Sequence, residues 1–166
     1  DLLMSHPTSR SALFIGRLIS VIFNIITIIL FGWFGLLIGV FRSESLDFTG
    51  EQLIIPYYSV FGVTLFFTSF ALFASLVLPS RSAAAMTTGI MVLSSFIITT
   101  LSAAIPDLKT IAMFSPITYF QANLMSGLNL MSFFGLILFS FALIILAWIK
   151  FRMRDLRIIG ENGWSR

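Results

Sequence analysis

Leu18-Ile-Ser-Val-Ile-Phe-Asn-Ile-Ile-Thr-Ile-Ile-Leu-Phe-Gly-Trp-Phe-Gly-Leu-Leu-Ile-Gly-Val-Phe41 carries no charge from one end to the other. As a helix these about 24 residues reach ~36 Å, more than the ~30 Å hydrocarbon thickness of a bilayer, so the stretch reads as a complete membrane span. Gly32, Gly35 and Gly39 fall near one face of that helix, and Gly35-x-x-x-Gly39 is the spacing that lets two membrane helices approach closely. Ordinary glycine in a membrane helix explains them equally well. Asn24 is the one strongly polar side chain of the run and is expected to face protein rather than lipid.

The rest of the chain has the same character. Apolar residues make up 58% and charged residues 10%, whereas a soluble domain carries roughly 25% charged residues. The fold class is therefore all-α, a polytopic integral membrane bundle. Without a single cysteine the chain has no disulfide, thiolate metal site or cysteine nucleophile of its own, and its one histidine, His6, has no companion at ligand spacing. The net charge of +3 does not point to nucleic acid, because the charges cluster at the ends of apolar runs, as insertion topology requires.

On the amino-terminal side the span is preceded by Asp1-Leu-Leu-Met-Ser-His-Pro-Thr-Ser-Arg10-Ser-Ala-Leu-Phe-Ile-Gly-Arg17. Pro7 suits a first helical turn, Ser5, Thr8 and Ser9 are capping types, and Arg10 and Arg17 hold the segment at the water boundary, so it reads as an elbow. The chain opens on Asp with neither a basic n-region nor a cleavage site, and we read it as the later part of a longer polypeptide.

On the carboxyl side a net acidic connector, Arg42 to Gln52, leads to Pro56-Tyr57-Tyr58, which suits a helix start at headgroup depth, and to a second uncharged run ending at Leu78. Pro79-Ser80-Arg81-Ser82 is a short turn. The third run, to Ile105, is rich in Ala, Ser, Thr and Gly, a composition that packs closely against other helices or lines a polar path. Ser95, Thr99 and Ser102 share one face by their i, i+4 and i+7 spacing. The uncharged stretch between Lys109 and Lys150 is too long for one helix, and Ser115-Pro116 and Ser126-Gly127 punctuate it. The chain thus reads as one transmembrane domain over residues 1–166. It comprises an elbow over about 1–11, spans over about 12–41, 56–79, 82–105 and 127–149, a connector over about 106–126, and a basic tail over about 150–166.

Alternate sides of this layout differ sharply in Lys and Arg. Arg10, Arg17, Arg81, Lys150, Arg152, Arg154, Arg157 and Arg166 lie on the side of the two termini, and only Arg42 and Lys109 lie on the other. The positive-inside rule places both termini in the cytoplasm and the 106–126 connector outside.

The four spans hold no Asp, Glu or His, and no Lys or Arg beyond Arg17 at an edge. They therefore offer no acid-base pair and no intramembrane carboxylate of the kind that proton- or sodium-coupled carriers use. Nor does either lysine sit in the Gly-x-x-x-x-Gly-Lys-Ser/Thr setting of a phosphate-binding loop. Any ATP-driven movement must draw on another subunit.

Several motifs, in order, resemble the permease subunits of type-2 ABC exporters. They are Leu2-Leu3 with Pro7-Thr8-Ser9-Arg10 and Gly16-Arg17; Pro79-Ser80-Arg81-Ser82-Ala83-Ala84; Ser115-Pro116-Ile117-Thr118-Tyr119-Phe120; and Arg152-Met153-Arg154-Asp155 with Gly160-Glu161-Asn162-Gly163-Trp164. The resemblance covers essentially the whole chain, as the coupling loop and the last four of six family helices, and it implies two further helices ahead of residue 1.

The resemblance implies a non-catalytic membrane subunit without cofactor of its own, ATP and Mg being bound by a partner ABC ATPase. It also implies pairing with a second permease as a homo- or heterodimer, a lipid environment in a prokaryotic cell membrane, and no nucleic acid. Carried onto this chain, the coupling residues are Ser5, Pro7, Thr8, Ser9, Arg10 and Arg17. Ser95, Thr99, Ser102, Gly35 and Gly39 are candidates for the pathway or for helix packing. A membrane scaffold that transports nothing is the rival reading.

Overall fold

The computed structural model describes residues 10–43, 50–120 and 129–153. Four long helices dominate them: α1 (Arg10–Phe41), α2 (Gly50–Val77), α3 (Arg81–Ala104) and α5 (Leu130–Met153). All four are long and apolar enough to cross a membrane, and among the described residues there is no strand. Between α3 and α5 runs a connector of short pieces, a 3-10 turn at Pro106–Leu108, the single-turn α4 (Lys109–Ala112) and a second 3-10 turn at Pro116–Tyr119. Each 3-10 turn starts on a proline, whose missing N–H is no loss at a helix start.

Helix limits follow local chemistry, with one departure from expectation. α3 starts where Ser80, in extended conformation, accepts a hydrogen bond from the Ala83 N–H at 3.1 Å, an N-cap that satisfies one of the first turn's free donors. α2 does not begin at Pro56 but at Gly50, with Pro56 inside it. A proline there removes one backbone donor from the ladder, and membrane helices accommodate such a residue through local adjustment and neighbouring groups.

α2 and α5 form the centre. Phe66, Leu136 and Leu143 are buried together, with Val63, Phe67, Phe70, Phe73 and Met91 around them. Gly62 brings the helices close, since a Cβ there would lie 3.4 Å from the Phe133 ring. Ser140 is fully buried on α5 and returns its hydroxyl to the Leu136 carbonyl at 2.8 Å, so its own proton is paired in the apolar interior.

α1 is attached differently. Only 6% of its apolar span is buried by the described residues, against 28% for α2 and for α5. Two of its attachments are specific in geometry. Near its start Phe14 packs with Ile144 and Ala147; farther along, the Tyr57 hydroxyl donates to the Gly32 carbonyl at 2.9 Å. Asn24, expected to face protein, is exposed on this chain's surface.

Candidate functional site

Two ends of the bundle carry the residues that the sequence singles out. At the first end the start of α1, the end of α2 and the end of α5 meet. Phe14 and Ala147 lie there among Leu72, Leu76, Trp148 and Phe151, and the Phe14 and Phe151 rings stand 5.5 Å apart. Opposite edges of the sequence are thereby joined, and Arg17, Arg81, Lys150 and Arg152 come to one end of the bundle, all of them exposed. The Arg152 guanidinium lies 5.0 Å from the Trp148 ring centroid, an attraction that holds a flexible cation against its own helix. Arg42 and Lys109 are at the opposite end.

Of the expected coupling residues, Ser5, Pro7, Thr8 and Ser9 lie outside the described residues. Arg10 is the first residue of α1, and Arg17 is exposed two turns farther along. α1 therefore begins at Arg10 and is clamped to α5 one turn later by Phe14. That clamp pairs residues far apart in sequence, and no local pattern announces it.

At the second end the connector is tied to α3 by hydroxyls. Ser115 donates to the Ser95 carbonyl at 3.0 Å and Thr118 donates to the Ala112 carbonyl at 2.7 Å. Thr99 Oγ1 lies 2.8 Å from Ser115 Oγ and 3.0 Å from Thr118 Oγ1. Each hydroxyl has one proton, and those of Ser115 and Thr118 are committed to carbonyls. Thr99 can therefore donate to only one neighbour at a time. Two complete chains share its proton, one through Ser115 to the Ser95 carbonyl and one through Thr118 to the Ala112 carbonyl. Either chain alone fastens the connector to α3.

The structure thus brings Ser95 and Thr99 to the connector. Ser95 is buried and Thr99 half-buried; Ser95 takes part through its backbone carbonyl and Thr99 through its hydroxyl. Ser102 returns its hydroxyl to the Thr99 carbonyl at 2.7 Å. Gly35 and Gly39 are exposed, with nothing within 4 Å of an added Cβ. Among the glycines of α1 it is Gly32 that meets another helix, where a Cβ would lie 3.3 Å from Tyr57 Cε1. Sequence spacing pointed to the Gly35-x-x-x-Gly39 pair; the contact that forms joins Gly32 to Tyr57, about two turns into α2, and no local pattern announces it.

A family model described as ABC-2 family transporter protein matches residues 1–151. No curated protein and no solved structure matches the chain.

Proposed function

The chain belongs to the ABC-2 family of transporter proteins, and from that premise we propose that it couples ATP hydrolysis by a separate ABC ATPase to export of a substrate. It is an integral, multi-pass membrane protein and a transmembrane subunit of an ABC transporter. In this reading the basic end of the bundle is cytoplasmic, the ATPase grips the segment around Pro7 to Arg10, and a second permease completes the assembly.

The observation that carries the reading is the clamp between Phe14 and Phe151 at the start of α1. A push on the segment before Arg10 enters α1 directly. Through Phe14 it also reaches the end of α5, and in this reading α1, little of which is buried by the described residues, tilts about that contact. This is mechanical work and asks no acid, base or metal of the chain.

Charge reversal at the elbow tests the reading. In the assembled transporter, Arg10→Glu is expected to keep membrane insertion and ATPase binding while separating ATP hydrolysis from substrate movement by roughly tenfold, the ratio that ~1.4 kcal/mol of lost coupling gives. Substrate flux per ATP equal to the parent's would remove the elbow from the mechanism. Failure to recover any ATPase with the parent chain from native membranes would favour a scaffold instead.

A further inference from the structure

Between the connector and α5 lies a cavity of about 470 Å³. Its floor is Phe66 and Leu136, both buried; its mouth is framed by Met113, Phe114 and Met131, all exposed. Gly135 forms part of the wall, and a Cβ placed there would meet nothing within 4 Å. The absent side chain keeps the cavity open toward α5.

We propose that this cavity holds one acyl chain of a membrane phospholipid. Depth is the first reason. Met131 to Phe139 are the opening turns of the apolar span Leu130–Met153, so the medium at the mouth is hydrocarbon and its headgroup boundary rather than bulk water. Shape is the second. One turn of a helix about 10–12 Å across occupies about 420–610 Å³, so the cavity is of the size of a single helical turn, and an extended hydrocarbon chain can run along it.

Lining chemistry is the third reason. Methionine and phenylalanine at the mouth adapt to a flexible, featureless chain. Among the hydroxyls of the wall, Tyr119 already donates to the Met113 carbonyl at 2.7 Å. Ser132, half-buried in the first turn of α5, gives its backbone N–H to Asn129 Oδ1 at 3.2 Å, and its hydroxyl makes no hydrogen bond among the described residues. A glyceryl ester carbonyl at the headgroup end of the acyl chain gives that hydroxyl an acceptor, which a purely apolar occupant would not.

The test uses the assembled complex in bilayers doped with a phospholipid that carries a diazirine near the end of one acyl chain. Illumination is expected to label Met113, Met131 or Phe139, and Gly135→Phe, which fills the cavity, to reduce that label at least fivefold. Gly135→Ala is expected to keep it. Should Gly135→Phe fail to assemble, Ser132→Val serves instead, with about one bound phospholipid per copy of the chain, among those that survive detergent washing, lost relative to parent by native mass spectrometry. Labelling confined to other surfaces would overturn the proposal, as would retention unchanged by whichever variant assembles. The chain has no cysteine, so Gly135→Cys adds a direct check: a disulfide between two copies would show that protein, not lipid, covers the mouth.

Discussion

α1 and α5 are nearly the same helix by composition, with mean hydropathy of 2.5 and 2.6 over their apolar spans, yet the described residues bury 6% of one and 28% of the other. In water such a difference would be hard to sustain, because exposed apolar surface costs free energy in proportion to its area. In a membrane the surrounding lipid is as apolar as leucine, so hydropathy reports the solvent and says little about the partner. What separates the two helices is detail. On α5, Ser140 and Ala147 have no exposed surface at all, and small side chains there let α2 and the start of α1 approach. On α1, Gly35 and Gly39 are just as small, and nothing in the described residues approaches them.

The largest effect expected from this contrast comes from adding bulk at the close contact. Ala147→Phe should cost about 1–3 kcal/mol through overpacking against Phe14 and Ile144. Gly35→Leu, on the open face of α1, should stay within about 0.5 kcal/mol for folding of the chain itself. Unfolding by graded SDS addition in mixed micelles measures both. Equal losses would break the contrast and reveal a hidden partner on α1.

A smaller effect is expected where hydroxyls rather than burial hold an element. Thr99→Val breaks both links made by the Thr99 hydroxyl and leaves Ser115 bonded to the Ser95 carbonyl, so it should cost about 1 kcal/mol, within the range for hydrogen bonds between membrane helices. Ser115→Ala and Thr118→Val each leave one chain intact, so each alone should cost under about 0.6 kcal/mol and the double variant clearly more than their sum. Maleimide labelling of a cysteine placed at Ile111, which is exposed on α4, follows release of the connector. Strict additivity would show that Thr99 does not share its proton.

The smallest effect concerns the second attachment of α1. Tyr57→Phe deletes the hydrogen bond to the Gly32 carbonyl and keeps the ring contact, for a loss of about 0.6 kcal/mol. Spin labels at Leu37 and Tyr58 should then report a broader distance distribution between α1 and α2. An unchanged distribution would mean that the ring contact alone fixes α1.

Residue chemistry made some of the candidate site legible and hid the rest. Ser95 and Thr99 were readable as one helical face because their spacing is local. Ser115 and Thr118 were readable only as parts of a turn motif, because the contact with α3 bridges 16 to 20 residues of sequence through a reversal of irregular geometry. Asn24 shows the limit most plainly. A carboxamide in an apolar helix argued for a protein neighbour, and on this chain it is exposed.

By itself the sequence determined that the chain crosses a membrane, and where. Uncharged runs long enough to span a bilayer leave the backbone no option but helix, since in hydrocarbon every N–H and C=O must find its partner within the segment or in a closed sheet. Only the tertiary structure decided which apolar helix becomes the centre and which stays at the margin, which glycine receives a neighbour, and which hydroxyls share one proton. Those choices rest on shape and hydrogen-bond geometry between residues distant in sequence, and in a lipid solvent no hydropathy difference records them.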